Sequence, residues 1–158
     1  MMSKSNFERM IQMSDEVFSS RIDPDQLSVN EKVMEHLQDI HPDSISEYDD
    51  GNGPVCWILC IPTTLDLMHQ FINQQISEKE LYDLTPLNIQ YEAIYLCSAL
   101  LLEEYRGKGI AQGLALKAIE SITMDHPIKA LFLWAFSKEG EKLAEKVSGL
   151  TGLPLYKR

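Results

Sequence analysis

Behind an apolar run in the second half of the chain stand eight residues, Arg106 Gly107 Lys108 Gly109 Ile110 Ala111 Gln112 Gly113, that combine two cations with three glycines. Glycine lets backbone N–H groups turn toward a ligand with no Cβ in the way and takes left-handed conformations without strain. A helix starting at Ile110 aims its unsatisfied N–H groups and the positive end of its dipole at the same spot. That arrangement suits a pyrophosphate, and Arg106 and Lys108 add charge-assisted contacts to phosphate oxygens. Other phosphate motifs fail on spacing. A dinucleotide fingerprint started at Gly107 and Gly109 needs glycine or alanine where Gln112 stands, and a Walker loop needs Ser or Thr where Gly109 follows Lys108.

The elements that position this turn follow from periodicity. Phe7, Met10, Ile11, Ser14 and Phe18 recur at helical spacing, and Val29, Val33, Leu37 and Ile40 form a second helix behind a Ser28 cap that stops near Pro42. Residues 45–48 and 55–61 read as a hairpin joined by Asp49 Asp50 Gly51 Asn52 Gly53, with Pro54 and Pro62 bracketing the second strand. Residues 63–83 carry one or two helices that end at Thr85 Pro86. Residues 89–102 read as a long buried strand, 110–124 as a helix, 130–136 as another buried strand and 138–148 as the last helix. Strand, turn, helix and strand in succession make a βαβ unit. The expectation is therefore an α/β fold: one domain over residues 1–158, a mixed sheet of five or six strands with the 89–102 strand central and parallel to 130–136, and helices on both faces.

Composition narrows the function. With 24 acids against 14 Lys and Arg, the net charge of −10 argues against a nucleic-acid binder, which needs a basic face. The N-terminal residues mix charges, and the longest apolar stretch, 93–102, is half of what a bilayer span requires, so a cytoplasmic protein without membrane contact is expected. Cys56, Cys60 and Cys97 lie in apolar runs and read as buried thiols, while His36, His41, His69 and His126 lack the paired spacing of a metal site, so no metal is expected.

Arg106, Gly109 and Ala111 fill the pattern Gln or Arg, two residues, Gly, one residue, Gly or Ala, and Leu101 and Tyr105 suit the hydrophobic and aromatic places before it. In this the chain resembles the GNAT superfamily of N-acetyltransferases over about residues 91–150, most closely over 100–116; the first ninety residues share only its layout. The resemblance implies acetyl-coenzyme A as cosubstrate. It places the pyrophosphate on the amides of Gly107, Lys108, Gly109, Ile110, Ala111 and Gln112, and the pantetheine arm along the main chain of Leu101 and Leu102, where family sheets splay. Residues 134–137 then form the opposite wall, with Ser137, otherwise a plain helix cap, where the family often has Asn.

The resemblance also has gaps. Where many members carry a Tyr that protonates the departing thiolate, this chain has Ala144, which leaves Tyr95 and Tyr156 as substitutes. A thiolate also leaves tolerably well unaided. The family often sets a Glu early in the long strand as base; Glu92 is the nearest, about 16 Å along a strand from Cys97, whose N–H would meet the thioester carbonyl. Only residues 151–158 follow the last helix, enough for one short strand where the family has two, so the acceptor side falls to residues 65–84 or to a second subunit in a homodimer. The leading function is acetyl transfer to a primary amine, of a small molecule or a peptide, by direct attack. The alternatives are a non-catalytic coenzyme A sensor and a helical interaction module.

Overall fold

The computed structural model describes residues 4–19 and 31–158. Among them are six helices and five strands: α1 (Asn6–Ser19), α2 (Glu31–Ile40), β1 (Ile45–Asp49), β2 (Pro54–Thr63), α3 (Leu65–Ile72), α4 (Glu78–Leu84), β3 (Ala93–Leu101), α5 (Ile110–Asp125), β4 (Ala130–Leu133), α6 (Lys138–Thr151) and β5 (Leu155–Lys157). The expected Ser28 cap and Val29 of the second helix lie outside the described residues. The strands form one mixed sheet in the order β1-β2-β3-β4-β5, antiparallel from β1 to β3 and parallel from β3 to β5. The chain is thus of mixed α/β class with β3 at the centre.

Local chemistry explains the boundaries. In the β1–β2 turn Asp49 Oδ1 accepts from the amides of Gly51 and Gly53, both at positive φ. Thr64 caps α3, and Ser77 with Glu80 forms a reciprocal capping box on α4, so residues 63–83 carry two helices. Gly152, left-handed at φ +75°, ends α6 and turns the chain into β5.

β2 is buried along all ten residues, as a central strand covered on both faces must be. The two faces are told apart at β5. Lys157 bonds Glu141 and Glu145 of α6, whereas Tyr156 and Arg158, on the opposite side of the strand, meet His69 and Phe71 of α3. α5 packs against α6 and against β1, β2 and β3.

Several expected segments differ in extent. β3 starts at Ala93, not at 89, because Asn88 sits at φ +59° and turns the chain, and the Tyr91 N–H bonds the His126 ring in place of a neighbouring strand. β4 ends at Leu133, not at 136: its pairing with β3 stops at Phe132, and its last ladder partner is Lys157 of β5. Pro54 and Pro62 lie within β2 and do not bracket it; Pro62 falls beyond the stretch that β1 pairs, so its missing N–H costs no ladder bond on that side.

The closed end of the βαβ unit is fastened by two imidazoles. His41 Nε2–H donates to Asp125 Oδ2 at 2.7 Å while its Nδ1 accepts from the Asp43 amide; the ring of His126, 5.8 Å away, accepts from Tyr91. Burial, then the neighbouring His41, holds His126 below its ordinary 6.5, against a smaller opposing pull from Asp125. A depressed base keeps its stabilisation above its unfolded value and loses it as pH falls through the folded one. The melting temperature of the parent chain is therefore expected to fall more steeply below pH 6.5 than that of His126→Gln. Parallel curves from thermal melts over about pH 8 to pH 5 would refute this.

Candidate functional site

After β3 the chain makes a short 3-10 turn, Glu103–Tyr105, that is tied down on two sides. Arg9 of α1 donates to both oxygens of Glu104, at 2.6 and 2.7 Å, and the Tyr105 hydroxyl donates to Asp50 in the β1–β2 turn. These bonds hold the Glu104 and Asp50 carboxyls below their usual range and raise the Tyr105 phenol. The glycine turn is thus anchored by residues from the first third of the chain.

Gly107 and Gly109 both take left-handed φ, +78° and +76°, and a Cβ built on either meets no atom within 4 Å, so the space above the turn is open. Gly109 caps α5 without a side-chain bond. The first amide of the region with an intrachain acceptor is Gly113, which donates to the Gly109 carbonyl. The six amides of Gly107, Lys108, Gly109, Ile110, Ala111 and Gln112 have none among the described residues. Arg106 and Lys108 are exposed, no carboxylate of the described residues lies within ion-pair distance of them, and the first turn of α5 holds no acid. Two unpaired cations at the positive end of a helix dipole oppose the usual preference for acids there. An anion seated on the amides reverses that sign.

Beside this turn the sheet opens. β3 pairs with β4 only at Ala93, Ile94 and Tyr95, opposite Ala130, Leu131 and Phe132, and then runs six residues farther with no β4 partner. In the ladder with β2 the register shifts where Cys97 is the extra residue of a bulge, and such a bulge bends its strand and sharpens the twist. The Leu102 N–H bonds Val55 and its carbonyl accepts from Tyr105, so both its main-chain groups are engaged within the fold. Strand alternation then turns those of Leu101 toward the gap. Of the two leucines expected to line a pantetheine arm, only Leu101 has its main chain so placed. Across the gap stand Trp134 and Phe136, ring centres 4.8 Å apart, the latter 45 % exposed. The Ser137 hydroxyl caps α6 by accepting from Gly140.

The candidate acid and base lie elsewhere. Glu92 sits at the closed end of the split, before β3 begins, paired with Lys129 at 3.1 Å. Tyr95 is wholly buried; its hydroxyl donates to Glu78 and its ring packs against Phe71 and Phe132. Ala144 is buried on α6, and Tyr156 lies exposed beside His69. Burial pushes the Cys56 and Cys60 thiols up to about 12, as expected of core cysteines.

Sequence reasoning missed a cluster around Phe71, whose ring meets those of Tyr95, Phe132 and Trp134 and carries the Arg158 guanidinium 4.5 Å from its centre. It also missed Glu78, a fully buried carboxylate at the start of α4. The Ser77–Glu80 capping box signalled that helix; nothing local signalled the burial of Glu78.

Among the described residues no group of three or more His, Cys, Asp or Glu side chains is placed to hold a metal ion, and no helix is long and apolar enough to cross a membrane. No protein-family model matches the chain, and no curated protein or solved structure matches it.

Proposed function

We propose that the chain is an N-acetyltransferase of GNAT type that moves the acetyl group of acetyl-coenzyme A to a primary amine. The observation that carries this reading is the anion cradle: six amides without acceptors, two left-handed glycines with open space above them and two unpaired cations, placed beside a split in the sheet. A pyrophosphate fits this donor set. Arg106 and Lys108 stand where they can neutralise it, the latter with its Nζ 5.3 Å from the centre of the Tyr105 ring.

When bound, acetyl-coenzyme A supplies a thioester whose carbonyl carbon a neutral amine attacks, the C–N bond forming as the C–S bond breaks and the amine proton passing to solvent or to the leaving thiolate. The chain contributes by positioning. The glycine turn fixes the phosphates, Leu101 offers main-chain pairing along the gap, and the Cys97 bulge re-aims the backbone at the level where a carbonyl oxygen gains charge. Trp134 and Phe136 close the far wall and shed water from it. With Tyr95 committed to Glu78, and Glu92 to Lys129, the proton leaves through water, not through a dedicated side chain.

A ligand held only by the native state stabilises it by mass action; at a hundred times its Kd that is about 2.7 kcal/mol, or about 5 to 10 °C in a chain of this size. Acetyl-coenzyme A is therefore expected to raise the melting temperature, and an amine screen for free thiol to find turnover. No shift at millimolar acetyl-coenzyme A would rule the reading out. A shift without thiol release from any amine would leave a coenzyme A sensor.

A further inference from the structure

Arg158 is half-buried in a chain rich in acids, yet among the described residues no carboxylate lies within ion-pair distance of it. Its guanidinium rests in the corner of an edge-to-face aromatic pair, 4.5 Å from the ring centres of both Phe71 and Trp134, and Nη1 donates to the Ile76 carbonyl at 2.9 Å. Nη2 has no partner among the described residues, and the one unpartnered side-chain polar atom shut off from solvent is Ser44 Oγ, so Nη2 is reached from outside. Aromatic faces and a carbonyl therefore hold a planar cation in place with one edge unspent.

Strand register says at what level Arg158 stands. Tyr95 pairs with Phe132 and Leu133 with Lys157; counting on, Trp134 is level with Cys97 across the gap, and Arg158 is level with Trp134. At about 4.8 Å per strand, Arg158 stands two spacings, about 10 Å, plus the gap from the bulge, a distance a small molecule spans. The neighbouring Lys157 is turned to the other face and bound to Glu141 and Glu145, so it does not compete for an anion there.

We infer that Arg158 is a specificity-determining residue that receives a carboxylate of the acceptor, so that the substrates are small amines that also carry a carboxylate, as free amino acids do. This rests on the acetyl-transfer reading. The guanidinium fork pairs with a planar carboxylate in a way that a neutral amide cannot reproduce.

The test is thiol release from acetyl-coenzyme A with a panel of L-amino acids, each beside its primary amide. Amidation removes the carboxylate and lowers the pKa of the amine, which by itself favours the amide. The expected result is at least one amino acid used about 10- to 100-fold better than its amide in kcat/KM, the loss of one charge-assisted pair. Arg158→Gln, which keeps a planar group on the rings, should erase that preference and leave the melting shift from acetyl-coenzyme A intact. Arg158→Lys, which keeps the charge without the fork, covers the case in which the first variant does not fold, and should restore part of the preference. Amides used as well as acids, no amino acid used at all, or a variant that slows acids and amides alike would overturn the inference while the cosubstrate shift persists. Absence of that shift in the parent chain would instead defeat the acetyl-transfer reading and this inference with it.

Discussion

Gly109→Val is expected to abolish the melting shift given by acetyl-coenzyme A in a chain that still folds. Position 109 sits at φ +76°, where a side chain costs about 1 to 2 kcal/mol, and more for a β-branched one, against a typical total stability of about 5 to 15 kcal/mol. Nothing in the protein lies within 4 Å of the new Cβ, so the cost to the fold is conformational and no clash is created. The valine methyls enter the open space over the amides, where the phosphates would sit, and the strained φ disturbs the backbone that carries those amides. Gly109→Ala isolates the backbone part and should weaken binding less. Arg106→Ala removes one charged contact and leaves the cradle, a loss of about 1.5 to 3 kcal/mol, so binding is weakened and not lost. Titration calorimetry on the folded variants ranks them. A folded Gly109→Val chain that binds like the parent would reduce the turn to a helix start and end the case for a coenzyme A site.

Phe71→Ala should cause the largest loss of stability, about 3 to 5 kcal/mol. Phe71 is fully buried and is the ring on which α3, β3 and β4 meet, touching Tyr95, Phe132 and Trp134 and bearing Arg158. Truncation leaves a cavity beneath Trp134 and removes half of the platform under the guanidinium. Chemical denaturation reads the effect as a lower midpoint at unchanged slope. A loss below about 1 kcal/mol would mean that α3 does not pack on this face, and the far wall of the gap would lose its support.

The glycine turn was legible in sequence because its determinants are local. Left-handed φ at 107 and 109 is a property of glycine itself, and a helix start behind it exposes amides whatever the rest of the fold does. The βαβ order was legible for the same reason, since the apolar periods of β3, α5 and β4 are carried by the elements themselves. Their ends were less so. An apolar run does not distinguish Ile89, exposed in a bend, from Ala93, buried in a strand, because both are apolar letters and the deciding event is the positive φ of Asn88.

What only the tertiary structure decided are the contacts between distant residues. Arg9 meets Glu104, Tyr105 meets Asp50, Glu78 receives the Tyr95 hydroxyl, and Arg158 reaches the aromatic corner of Phe71 and Trp134. No period or motif announces these pairs, since they depend on how elements far apart in sequence are set against one another; that of Arg158 depends on the register of β5 beside β4 and on which face α3 covers. The sequence alone therefore determined a glycine turn with open amides on a βαβ unit. The committed tyrosine, the salt-bridged Glu92 and the guanidinium set on Phe71 and Trp134 were decided by packing, because a side chain's chemistry is set by the neighbours that the fold supplies.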